Sequence, residues 1–187
     1  MSRVIIVHGW SGSSQRDFMP WAKKELKKMR YEILVPDLPD TDNPKIETWV
    51  PYLAQVIGEV RESDILIGHS MGCQTILRFL ESLPSGKKVD KVILVAGFGP
   101  YLKGLTKEEQ QIAQPWLDAS LDLDKVKPHA NSFVAIFSDN DPYVPLEENR
   151  KVFEEKLGAK IIVEHNMSHF NEGAGITKLP VLLEITE

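Results

Sequence analysis

Three residues have the types and the order along the chain to act as one chemical unit: Ser70, Asp141 and His169. Ser70 sits in Gly68-His69-Ser70-Met71-Gly72, a G-x-S-x-G pattern. A serine hydroxyl attacks a carbonyl poorly until a base removes its proton. Small residues two before and two after it allow a sharp strand-to-helix turn that lifts Oγ clear of the backbone. The helix that follows aims its first N–H groups at the place where negative charge develops. With 12 glycines and as many serines, a chain of this composition shows the pattern by chance roughly 0.05 times.

The base must come from five histidines. His8 and His69 flank glycine-rich turns and are expected to point away from Ser70 Oγ, and His129 follows Pro128 before an apolar strand. His165 and His169 follow the last β-branched run. His169 lies further beyond the strand end, in Met167-Ser168-His169-Phe170, and is the favoured base. The acid has two candidates in Ser138-Asp139-Asn140-Asp141-Pro142-Tyr143-Val144-Pro145. Pro142 restricts Asp141 to an extended backbone, which suits a projecting side chain. Asp139 suits the turn-capping role common for aspartate in such loops.

The elements that must hold these residues alternate strictly. Short runs at Val4–Val7, Glu32–Val35, Asp64–Ile67, Lys91–Ala96, Phe133–Phe137 and Ile161–Val163 read as strands. Between them, apolar residues recur every three or four positions. They mark helices over Phe18–Met29, Ile46–Val60, Met71–Leu83, Glu147–Leu157 and Leu179–Ile185. Alternation with near-continuous apolar strands predicts an α/β fold with a parallel sheet covered on both faces. With strand order 2-1-3-4-5-6, the topological switch falls between strands 1 and 3, the strands that precede His8 and Ser70. The Gly99–Asn131 connection carries a capping-box signal, Thr106 with Glu109, so it is not bare loop, and the fold is expected to have a small cap or none.

Length and composition set the frame. A chain of 187 residues with 42% hydrophobic and 26% charged residues predicts one soluble domain over residues 1–187. A net charge of −5 argues against a nucleic-acid partner. The basic cluster Lys23, Lys24, Lys27, Lys28 and Arg30 reads as a solvated helix face. Cys73 is the single cysteine, so no internal disulfide forms, and it is expected to be an inert core residue. No stretch is long and apolar enough for a signal peptide or a membrane span, so a cytoplasmic location is expected.

The first strand ends in His8-Gly9-Trp10-Ser11-Gly12-Ser13. This loop lacks the Lys-Ser/Thr ending of a phosphate-binding P-loop. In α/β-hydrolases an amide just after such a His-Gly pair supplies the second oxyanion donor, here Trp10 N–H beside Met71 N–H. Taken with the G-x-S-x-G turn, the Ser138–Pro145 segment and His169-Phe170 followed by Gly173 and Pro180, the chain resembles the small serine hydrolases of the retinoblastoma-binding-protein-nine and YdeN type. The likeness spans nearly the whole length. Many α/β-hydrolases carry an Asp-x-x-Val-Pro turn whose Asp is the acid, and Asp141-Pro142-Tyr143-Val144-Pro145 fits it.

The resemblance implies a compact α/β-hydrolase fold and a Ser70–Asp141–His169 triad. The expected reaction is acyl transfer from a small ester or amide to water, with no metal or organic cofactor. Aromatic residues near strand ends are candidates for the substrate pocket: Trp10, Phe98, Tyr101, Trp116, Tyr143 and Phe170. The rival reading is a protein-interaction module on the same fold, with a protein partner and little catalysis.

Overall fold

The computed structural model describes residues 2–186. Six strands form one sheet: β1 (Arg3–Val7), β2 (Glu32–Leu34), β3 (Ile65–His69), β4 (Val89–Val95), β5 (Ala130–Ser138) and β6 (Lys160–Glu164). Their order is β2-β1-β3-β4-β5-β6 and every pairing is parallel, the α/β arrangement expected from the apolar runs. The central strands β1 and β3 are buried along their whole length, because helices cover both faces. One face carries α2 (Ile46–Ile57) and α3 (Met71–Glu81), with Leu53, Leu77 and Val92 in its core. The other carries α1 (Met19–Lys28) and α7 (Val181–Thr186), around Ile6, Phe18 and Ile136.

Several element boundaries differ from the sequence expectation. β5 starts at Ala130 rather than Phe133, because Asn131 and Ser132 are exposed and interrupt the apolar run without interrupting the ladder. The helix expected over Glu147–Leu157 is α6 (Leu146–Val152) followed by a π-helical turn over Phe153–Leu157.

The connection from Gly99 to the start of β5 forms a small cap. Thr106 Oγ1 accepts the Glu109 N–H and Glu109 accepts the Thr106 N–H, which closes a capping box at the start of α4 (Lys107–Asp118). A short α5 (Leu123–Val126) follows. The buried Arg78 on α3 donates to the carbonyls of Trp116, Ala119 and Ser120. It thereby satisfies the C-terminal end of α4 and fastens the cap to the helix behind Ser70.

At the opposite end of the sheet Arg3 meets Asp64 through two hydrogen bonds of 3.0 and 2.7 Å, with Asp64 fully buried. Among the described residues no helix is long and apolar enough to cross a membrane.

Candidate active site

Ser70 follows β3 and precedes α3 with φ 52° and ψ −117°. This is a costly conformation for a residue with a side chain, held here by its surroundings. The Ser70 N–H bonds the Val95 carbonyl at 2.9 Å, and the Ser70 carbonyl receives Cys73 N–H at 2.9 Å. The two glycines of the motif are required by contact. A Cβ on Gly68 would lie 2.8 Å from the Cys73 backbone, and one on Gly72 would run into the carbonyls of Val7 and His8. The turn is therefore pressed against the end of β1.

His169 reaches this turn from the loop after β6. Its Nε2 lies 2.9 Å from Ser70 Oγ and its Nδ1 lies 2.8 Å from Asp141 Oδ2. The other Asp141 oxygen accepts the N–H groups of Tyr143 and Val144 at 2.8 and 3.0 Å. Asp141 is nearly inaccessible, whereas the His169 ring keeps a narrow opening to solvent. Tyr143 meets the His169 ring edge-on at 5.1 Å. Asp139, the other acid candidate, instead pairs with the exposed His165 at 2.6 Å and accepts Asn166 N–H at 2.9 Å.

The two remaining histidines of the region support the backbone. His8 Nε2 accepts the Leu38 N–H, so its proton is on Nδ1, which donates to the Gly9 carbonyl. Burial pushes its pKa down. His69 donates from Nε2 to the His169 carbonyl at 2.8 Å. Burial first, and the neighbouring His169 second, push its pKa down to about 4. It is therefore neutral near pH 7, and its 3.9 Å approach to Asp17 is not an ion pair.

Above Ser70 opens a cavity of about 460 Å³. Trp10, Phe98 and Tyr143 stand on its wall, beside Gly9 and Met71. A Cβ on Gly9 would approach Ser70 Cβ to 3.1 Å, so the Gly9–Trp10 backbone passes directly beside the serine. Phe98 is held by its carbonyl, which accepts from the buried Gln74 amide at 2.7 Å.

Three expected pocket residues lie elsewhere. Tyr101 projects outward and is 47% exposed. Trp116 belongs to α4 of the cap and points into the core, its indole N–H on the Pro44 carbonyl and its ring against Trp49. Phe170 has φ 54°, and its fully buried ring joins the cluster around Phe18 on the opposite face of the sheet.

Sequence reasoning also missed walls. Leu102 and Leu105 arrive from the cap, with no pattern in the chain that announces it. The cavity is also lined by Asp17, Asp42, Glu109 and Glu172 and, among the described residues, by one cation, Arg16, which is paired with Glu172 at 2.7 Å. The lining is thus negatively charged. Among the described residues no group of three or more His, Cys, Asp or Glu side chains is arranged to hold a metal ion.

A parallel sheet in this order, with a strained serine turn at its switch point, defines the α/β-hydrolase class. Residues 4–186 match the serine hydrolase family, and the chain belongs to it. It is 31% identical to the hydrolase YdeN of Bacillus subtilis over 183 residues, 98% of this chain and 93% of that protein. It is 25% identical to the serine hydrolase RBBP9 of Rattus norvegicus, over 89% of this chain and 80% of that one. The crystal structure of the ydeN gene product superposes with a TM-score of 0.90 at 29% identity, covering 99% and 96% of the two chains. The esterase RhEst1 from Rhodococcus shares the fold, with a TM-score of 0.65 at 15% identity over 97% and 87%. The chain is accordingly an enzyme, a serine hydrolase.

Proposed function

We propose that the enzyme cleaves small esters or amides through an acyl-enzyme on Ser70, with His169 as general base and Asp141 as its orienting acid. The observation that supports this reading is the unbroken hydrogen-bond chain from Ser70 Oγ through both His169 nitrogens to Asp141. Asp141 accepts from Nδ1–H, which leaves the Nε2 lone pair facing the serine hydroxyl.

As Ser70 Oγ bonds to the substrate carbonyl carbon, its proton passes to His169 Nε2. The carbonyl oxygen becomes an anion that the Trp10 and Met71 N–H groups receive. These two residues flank Ser70 in the cavity wall. Collapse of the tetrahedral adduct expels the alcohol or amine, which takes the proton from Nε2. Water then attacks the acyl carbon and gives a proton to Nε2; collapse of this second adduct breaks the bond to Ser70 Oγ, which takes that proton back, and releases the carboxylic acid. Donors of this kind act on the developing charge and typically contribute a hundredfold or more each.

The cavity favours short acyl groups, and its acidic lining disfavours those with a free carboxylate. A fluorophosphonate probe tests the reading. Peptide mapping is expected to find one phosphonylated residue, Ser70, with no label on the Ser70→Ala variant. Label on another residue, or none on the wild type, would remove the proposal.

A further inference from the structure

The loops that carry Asp141 and His169 run side by side, and four consecutive side chains of one hold four consecutive residues of the other. Asp139 Oδ1 accepts Asn166 N–H at 2.9 Å, Ser138 Oγ accepts Met167 N–H at 3.0 Å, and Asn140 Oδ1 accepts Ser168 N–H at 2.7 Å. Asp141 Oδ2 then takes the His169 ring at 2.8 Å. The Ser138 hydroxyl proton goes to Asn140 Oδ1 at 2.8 Å, so the second and third rungs are joined.

The held loop needs restraint. Asn166, Ser168 and Phe170 all have positive φ, at 58°, 48° and 54°. Alternate residues in the left-handed region do not persist on their own backbone preferences. The loop's own backbone contributes one closing bond, Phe170 N–H to the Met167 carbonyl at 2.9 Å. The amides of residues 166 to 168 find their acceptors in the Ser138-Asp139-Asn140 side chains instead.

We propose that Asn140 is a positioning residue for His169. It holds the Ser168 amide, with Ser138 as its anchor, and so sets the direction in which His169 leaves the backbone toward Ser70. This rests on the reading of His169 as the base. The side chain has the right chemistry for that place. Its side-chain oxygen accepts from both Ser138 and Ser168. Asn140 is also exposed, while Ser138 is 2% exposed. Asn140 can therefore be changed without opening the core, which separates positioning from folding.

The experiment compares Asn140→Ala and Asn140→Asp with wild type, by steady-state hydrolysis of p-nitrophenyl butyrate and by amide hydrogen exchange. Asn140→Ala should lower kcat by roughly tenfold to a hundredfold with KM little changed, because a base displaced by a fraction of an ångström still faces bound substrate. Its Ser168 amide should exchange about tenfold faster than in wild type, the loss of one hydrogen bond. Asn140→Asp keeps the acceptor oxygen and should restore both kcat and Ser168 protection. Wild-type kcat in Asn140→Ala, no rescue by Asn140→Asp, or a Ser168 amide equally unprotected in all three proteins would overturn the proposal. Full activity in Ser70→Ala would instead bring down the catalytic reading, and the exchange result would still report on the ladder.

Discussion

Replacing Asp141 with asparagine should stop the chemistry while leaving the fold in place. Asp141 Oδ1 receives two backbone amides, Tyr143 N–H and Val144 N–H, and Oδ2 receives His169. An asparagine has only one acceptor oxygen. Placing it on the two amides satisfies two buried donors; the flipped amide would set N–H groups against N–H groups. The oxygen therefore stays on Tyr143 and Val144, and the new NH₂ faces His169 Nδ1. That nitrogen must become the acceptor, and the proton moves to Nε2, which lies 2.9 Å from Ser70 Oγ. A protonated Nε2 cannot take the serine proton.

The loss expected from a wrong tautomer in such a triad is roughly 10³–10⁴ in kcat, or about 4 to 5.5 kcal/mol of barrier. Because both backbone amides keep their acceptor, stability should change by only about 1 kcal/mol. Asp139→Asn is the control. It keeps an oxygen for Asn166 N–H and loses only the exposed pairing with His165, so kcat should fall less than about tenfold. The assay is hydrolysis of p-nitrophenyl butyrate by both variants after circular dichroism has established that each is folded. A larger loss for Asp139→Asn, or an Asp141→Asn enzyme near wild type, would refute the tautomer argument.

Three further outcomes follow from the structure. A butyryl ester should be turned over faster than a palmitoyl ester, and a neutral short acyl group faster than a succinyl one, because the cavity is about 460 Å³ with an acidic lining; a palmitoyl or succinyl preference in competition assays contradicts this. Arg3→Leu should lose about 3–5 kcal/mol in urea unfolding, since it strands the buried Asp64 carboxylate without its partner; a change below about 1 kcal/mol argues against it. His69 must shed its proton to fold, with a pKa of about 4 in the folded chain against about 6.5 unfolded. The unfolded chain thus binds more protons between those values, and the stabilisation, at most about 3 kcal/mol, is complete above pH 6.5 and lost as pH falls toward 4. His69→Gln keeps an Nε2 donor and does not titrate, so its unfolding free energy should fall less steeply over that window; equal slopes would exclude the argument.

What the sequence reveals of each part follows that part's physics. Strands buried on both faces have no polar side to show, so β1, β3 and β4 stand out as apolar runs, and a parallel sheet follows from their alternation with helices. Gly68 and Gly72 mark the serine turn because backbone contact excludes any side chain there. The pocket was much less legible. An aromatic residue announces burial but not which face of the sheet receives it. Phe170 follows His169 directly, yet its ring joins the cluster on the opposite face of the sheet, and Trp116 turns from α4 of the cap into the core. Leu102 and Leu105 depend on how the cap settles, which Arg78 decides through three carbonyls some forty residues away in sequence. The Ser138–Asn140 ladder looked like an ordinary turn, because its partners lie in a loop that no local pattern joins to it.

Ser70 as the nucleophile is tested by the turnover of p-nitrophenyl butyrate by Ser70→Ala. Ser70 is on a turn at the cavity floor and its hydroxyl bonds only His169 among the described residues. Its loss should leave the unfolding midpoint nearly unchanged while kcat drops by roughly 10⁴–10⁶. A folded Ser70→Ala protein that hydrolyses the ester at near the wild-type rate would contradict the account.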